Sequence, residues 1–265
     1  MAAIMLIDVN AYTGHWPFMQ LKYNTCASLL QRMDNFGVDV SVVSNLNGIF
    51  YKNTQAANEE LYNEIKSNKK YNNRIIPFAI INPVYAAWKD DLKTCVTKMG
   101  MKGVRLYPHY HDYDITEPPV AELVKMARDY DVPVAFPIRM VDSRQRFWMD
   151  VRKEWLLKDF MPIVKAVPDA KYLFLNIATG FGLDAEDHAL LQKTNYMFDM
   201  SGRNLQYMGQ LLKTYGKEKF AFGTQSPILD YLTPRLRIET LRNDEATEAD
   251  KEFMRSGNAK RFLKI

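Results

Sequence analysis

Two clusters of side chains in this 265-residue sequence are equipped for chemistry. The stretch His109-Tyr110-His111-Asp112-Tyr113-Asp114 gathers imidazoles, phenols and carboxyls within six positions. An imidazole titrates near neutral pH, so His109 is a candidate general base. A His-x-His spacing held in an extended chain also sends both rings to one side, as a metal pair requires. A solvated loop with locally bonded histidines is the third reading, and Pro108 favours it by ending the strand early. The second cluster runs from Arg139 to Trp148, with Arg139, Arg144 and Arg146 around Asp142 and with Phe147 and Trp148 at its end. Guanidinium forks suit a carboxylate, and aromatic faces suit the flat or sugar-like body that carries it. The segment reads equally as a lid over a pocket and as a surface loop at a subunit interface.

The elements that would position these groups follow from apolar periodicity. Eight short apolar runs occur at Ile4–Val9, Asp39–Ser44, Arg74–Ile81, Gly103–Tyr107, Val132–Ile138, Lys171–Asn176, Tyr196–Met200 and Phe220–Gly223. Between them lie helical patterns at Thr25–Phe36, Gln55–Asn68, Tyr85–Met99, Val120–Tyr130, Val151–Ala166 and Leu205–Tyr215. Alternating β and α signals predict a parallel sheet. Eight strands in this length predict a closed (β/α)8 TIM barrel rather than an open sheet, and no G-x-G-x-x-G follows the first strand to mark a dinucleotide fold. Active groups on such a barrel project from the strand ends. Strand alternation turns Met5, Ile7 and Val9 to the helices and leaves Asp8, Asn10 and Tyr12 inward. On the fourth run Arg105 and Tyr107 point inward, with His109 beyond them. The fifth offers Pro137 and Arg139, the sixth Asn176 and the eighth Gln225. An inward arginine needs a partner, so Asp8 is expected to pair with Arg105, although Asp8 also reads as a buried base.

Composition narrows the function. A net charge of +4 from 35 basic and 31 acidic residues is too dispersed for nucleic-acid binding. No stretch approaches the ~20 apolar residues of a membrane span, and Met1–Met5 has no basic leader, so a cytoplasmic location is expected. Cys26 and Cys95 fall inside helical patterns and read as apolar fillers. His188 reads as a surface helix residue, and the loop Gly14-His15-Trp16-Pro17-Phe18 as a pocket wall or an aromatic plug.

Four segments carry a resemblance. Ile7-Asp8-Val9-Asn10-Ala11-Tyr12 resembles an I-D-x-H-x-H first strand, and Gly103-Val104-Arg105-Leu106-Tyr107-Pro108 resembles G-[VI]-[KR]-L-x-P. Phe222-Gly223-Thr224-Gln225-Ser226-Pro227 resembles F-G-[TS]-D-x-P, and Gly257-Asn258-Ala259-Lys260-Arg261-Phe262 resembles G-N-A-x-R-[LF]. In this order they are similar to the amidohydrolase-related family, which includes aminocarboxymuconate-semialdehyde decarboxylase-like enzymes and small lactonases. The resemblance implies a metal site at two histidines of the first strand, a histidine of the fifth and an aspartate of the eighth. Those positions read Asn10, Tyr12, Pro137 and Gln225 here, and a further sixth-strand histidine position reads Asn176.

The expected protein is therefore one TIM-barrel domain over residues 1–265 with no metal and no cofactor. Its function is expected to be hydrolysis of a lactone or other activated carbonyl in a small carboxylate-bearing or sugar-derived compound. Arg105 and His109 would be catalytic, and Asn10, Tyr12, Arg139, Asn176 and Gln225 would bind substrate. The alternative is a catalytically silent barrel that binds a metabolite or serves as an assembly subunit. A small molecule is the expected partner, with no nucleic acid or membrane, and a homo-oligomer is left open.

Overall fold

The computed structural model describes residues 5–141, 147–151, 154–177, 182–201 and 207–265. Its parallel strands are β1 (Ile7–Thr13), β2 (Val40–Asn45), β3 (Ile75–Pro77), β4 (Ala79–Ile80), β5 (Val104–Arg105), β6 (Val134–Pro137), β7 (Lys171–Leu175), β8 (Asn195–Asp199) and β9 (Phe220–Ala221). They pair in sequence order as β1-β2-β3 and β4-β5-β6-β7-β8-β9. The two sheets are continuous. β3 and β4 are halves of one strand broken at Phe78, whose N–H bonds to Val43 O at 2.8 Å while that of Ala79 bonds to Gly103 O at 2.9 Å. At the other seam Val9 N–H bonds to Phe222 O at 3.0 Å, Gln225 N–H to Asn10 O at 2.6 Å and Tyr12 N–H to Ser226 O at 2.7 Å. Every neighbouring pair is thus hydrogen-bonded, and the eight staves close into the expected barrel.

Both faces of each strand are buried, which is why the runs read as continuously apolar. On β7, Tyr172 and Phe174 pack outward under the helices while Leu173 and Leu175 fill the interior. Each such side chain taken fully from water contributes about 1.5–3 kcal/mol. The interior layer at the amino ends of the strands includes Ile7, Val42, Phe78, Leu173 and Met197, and Ala259, Phe262 and Leu263 of the terminal helix Asn258–Leu263 pack against it. Asn258 ties that helix in place by donating to Phe220 O at 2.8 Å and Lys217 O at 3.0 Å. Gly103 is required by close approach, since a Cβ there would lie 2.3 Å from the Phe78 ring.

The helix Cys26–Phe36 starts where Thr25 caps it reciprocally with Ser28 and stops at left-handed Gly37. Cys26 and Cys95 are buried free thiols. The expected helix over Val151–Ala166 is much shorter. Among the described residues it is a 3-10 turn at Leu157–Phe160 followed by the helix Met161–Ala166. The chain before it is held elsewhere, with Trp155 N–H donating to Ile138 O at 3.0 Å. Ile4, Arg152, Lys153, Leu205 and Gln206, which belong to other expected elements, lie outside the described residues. No helix among the described residues is long and apolar enough to cross a membrane.

The inward and outward assignment of β1 needs correction. Ile7 and Val9 face the interior, not the helices. Asp8 is opposite Ser41 and Ala11 is opposite Val43, so β1 spends three residues where β2 spends two. This bulge resets the alternation between Val9 and Ala11. Val9 and Asn10 therefore both point inward, and beyond the bulge so does Tyr12, as expected for Asn10 and Tyr12.

Candidate functional site

Above the apolar layer the barrel interior is polar, and Arg105 occupies its middle. Val104 and Leu106 hold β5 against the helices, which leaves the Arg105 side chain inward and 0% exposed. Its guanidinium donates to Asn10 Oδ1 at 3.2 Å and Val42 O at 3.1 Å, and Cζ lies 4.3 Å from the Tyr12 ring centre. Burial by itself would lower its pKa, but the phenols of Tyr12 and Tyr107 offset this and the net shift is upward. Burial also pushes both phenols up, so they remain neutral donors. Tyr107 donates to the Tyr12 hydroxyl at 3.2 Å, and Tyr12 in turn faces Met140 Sδ at 3.9 Å.

The expected Asp8–Arg105 pair does not form. Because of the bulge, Asp8 turns toward the β9 exit, where it accepts from the Thr224 hydroxyl at 2.6 Å, Thr224 N–H at 3.0 Å and Asn10 N–H at 2.9 Å. Burial raises its pKa to about 7 against those three bonds.

Asp199 was not anticipated as a site residue. It ends β8 two positions after inward Met197, so the alternation rule alone could have found it. Asn10 Nδ2 donates to it at 2.7 Å and Asn176 N–H at 2.5 Å. Burial raises its pKa, while bonds from Ser201, Asn10 and Asn176 act the other way. A Cβ at Gly223 would come within 2.7 Å of Asp199, so the glycine of the eighth-strand motif makes room for this carboxyl. Asn10 therefore bridges guanidinium and carboxyl, accepting from one and donating to the other.

Asn176 and Gln225 meet each other. Both have left-handed backbones, with φ of 56° and 58°, and Asn176 Nδ2 donates to Gln225 Oε1. Gln225 Nε2 donates to the carbonyls of Arg139 and Met140. Over this layer lie Tyr12, Trp16, Ile80, Tyr107 and Met140, all buried. The loop after β1 is thus an aromatic plug, whereas Trp148 is 71% exposed and takes no part in it.

Arg139 and His109 stand apart from this centre. They line a narrow cleft between the exits of β5 and β6, with Tyr107, Tyr110, Glu154 and Trp155. The His109 ring stacks on the Trp155 indole at 3.8 Å with planes 5° apart. Arg139 Nη1 is 3.5 Å from Glu154 Oε1. The extended His-x-His reading is corrected. Pro108–His111 is a single helical turn begun by the proline, and His111 Nε2 faces Gly48 O at 3.0 Å while His109 lies on Trp155. Burial lowers the His111 pKa. Among the described residues no three His, Cys, Asp or Glu side chains form a metal-ligand group. Of the Arg139–Trp148 segment, Asp142, Ser143, Arg144, Gln145 and Arg146 lie outside the described residues. His188 packs edge-on against Tyr215 at 5.2 Å.

The sequence model of the amidohydrolase family Amidohydro_2 matches residues 8–170. The chain belongs to the amidohydrolase family. Solved structures give this amidohydrolase-family barrel its fold relatives. 2,6-Dihydroxybenzoate decarboxylase from Rhizobium is 14% identical over 98% of both chains, with a TM-score of 0.72. Dihydroxybenzoic acid decarboxylase from Polaromonas sp. JS666, solved with manganese and the inhibitor 2-nitroresorcinol, is 14% identical over 98% of this chain and 97% of its own, with a TM-score of 0.69. 5-Carboxyvanillate decarboxylase from Sphingomonas paucimobilis is 13% identical over 99% of both chains, with a TM-score of 0.71. No curated protein is similar enough to match the chain.

Proposed function

We propose that this amidohydrolase-family protein binds a small carboxylate-bearing compound in the cleft between the β5 and β6 exits. Arg139 grips the carboxylate, and Tyr110 and the His109–Trp155 stack wall its aromatic or sugar-derived body. The observation that carries the reading is the division of the two inward arginines. Arg105 is sealed beneath Tyr12, Tyr107 and Met140, while Arg139 lines a cleft with a stacked aromatic wall. A ligand carboxylate would compete for Arg139 with Glu154, whose Oε1 lies 3.5 Å from Nη1. The fold relatives named above are decarboxylases of aromatic carboxylates, which makes such acids the first probes to try.

The barrel centre does not suit the divalent ion that the family implies. The Asn10 amide is engaged at both ends by Arg105 and Asp199, and the Gln225 amide by Asn176 and two carbonyls. A dication there would meet the Arg105 guanidinium and amide N–H groups in place of imidazoles, and the Asp199 carboxyl beside them is already engaged by Asn10 and Asn176. The amides of the central layer brace the barrel.

A second reading is hydrolysis of a lactone or similar activated carbonyl in the same cleft. It is favoured by His109 and Arg139 lining one space, where a base and a carbonyl-polarising cation can act together. A fluorescence titration of Trp155 with benzoate, 2,6-dihydroxybenzoate and sugar acids tests the first reading, and saturable binding supports it. Turnover in a lactone screen that falls about 10²-fold in His109→Ala supports the second.

A further inference from the structure

We propose that Gln225, held by Asn176, is a positioning residue that sets Arg139 at the lip of the ligand cleft. This rests on the carboxylate-binding reading above. The backbone of Gln225 is fixed at the seam of the barrel, where its N–H bonds to Asn10 O at 2.6 Å and its carbonyl accepts from Ile228 at 3.0 Å and Leu229 at 3.2 Å. From there the side chain crosses to the β6 exit, where Nε2 lies 2.5 Å from Met140 O and 3.4 Å from Arg139 O. Oε1 accepts from Asn176, whose own N–H is anchored on Asp199 at 2.5 Å. The chain carrying Arg139 is therefore tied from below to three strand ends while its side chain enters the cleft.

The residue type matters. Only an uncharged amide offers one oxygen to Asn176 and an N–H group to two carbonyls at once. A carboxylate at 225 would set oxygen against the carbonyl oxygens of Arg139 and Met140. The same brace seats the plug, since Met140 Sδ lies 4.0 Å from Gln225 Nε2 and 3.9 Å from the Tyr12 hydroxyl. Two amides at family metal positions thus hold the exit loop that carries Arg139.

The test is a double-mutant cycle on benzoate affinity, measured by calorimetry on the full chain. Gln225→Glu should weaken binding about tenfold in the otherwise unchanged protein and by less than twofold when Arg139→Ala is already present. Asn176→Asp, which removes the donor to Gln225, should show the same coupling and serves if Gln225→Glu does not fold. Equal losses in both backgrounds, or full affinity in Gln225→Glu where Arg139→Ala weakens binding, would overturn the brace and leave the binding reading standing. If the unaltered protein binds no carboxylate, the binding reading fails. The brace is then decided by the ¹³C-methyl resonance of Met140, which must shift in Gln225→Glu and whose constancy would refute it.

Discussion

The Thr224 hydroxyl donates to Asp8 Oδ2 at 2.6 Å, so a carboxyl of the first-strand motif clasps a residue of the eighth-strand motif across the barrel seam. The two ends of the sheet are thus joined by side chains as well as by the backbone bonds of the seam.

Asp8 makes stability depend on pH in a definite direction. Its folded pKa of about 7 is raised from 3.8, chiefly by burial, so its contribution is fully present below 3.8 and is lost as pH rises through about 7. The total change is up to about 4 kcal/mol at 1.36 kcal/mol per unit. Asp8→Asn keeps the hydrogen-bond geometry without the titration. Urea unfolding of this variant should show a flatter decline between pH 4 and pH 8, with residual slope from Asp199, which is shifted in the same sense. Parallel curves for the two proteins would show that Asp8 does not titrate in this window.

Arg105 is expected to matter for folding rather than for ligand affinity. Arg105→Ala removes the hydrogen bonds to Asn10 Oδ1 and Val42 O and leaves a cavity in the barrel centre, a loss of about 2–5 kcal/mol. Denaturant midpoints measure this. A variant of unchanged stability would contradict the central layer described above.

Gly223→Ala forces a methyl to within 2.7 Å of Asp199 and should cost about 1–3 kcal/mol through overpacking. Thermal unfolding checks it. A neutral substitution would mean that Asp199 has room to retreat.

Arg139→Ala should weaken carboxylate binding by at least about tenfold, the scale of a charged hydrogen bond, with little change in unfolding midpoint. Calorimetry and thermal unfolding on the same sample separate the two effects. Loss of stability without loss of affinity would place Arg139 in the scaffold.

Much of this was legible in the sequence because a parallel barrel buries both strand faces. The eight apolar runs marked the staves, and alternation placed Arg105 inward, whereas Asn10 and Tyr12 reach the interior only through the bulge in β1. Asp8 was assigned to Arg105 because alternation assumes an unbroken strand, and one extra residue in β1 turned it toward Thr224. Asp199 is within reach of the same rule, since Met197 two positions before it faces inward. That Arg105 and Arg139 serve different spaces was not legible, since both are simply inward residues near strand ends. The separation arises from packing of Tyr12, Trp16 and Met140, residues distant in sequence.

The most direct measurement is a crystal structure grown with 2,6-dihydroxybenzoate. The account predicts its carboxylate on Arg139 and its ring beside the His109–Trp155 stack, with Tyr12, Tyr107 and Met140 still closed over Arg105. A ligand or metal ion in the barrel centre against Asn10 and Gln225, with Met140 displaced, would contradict it.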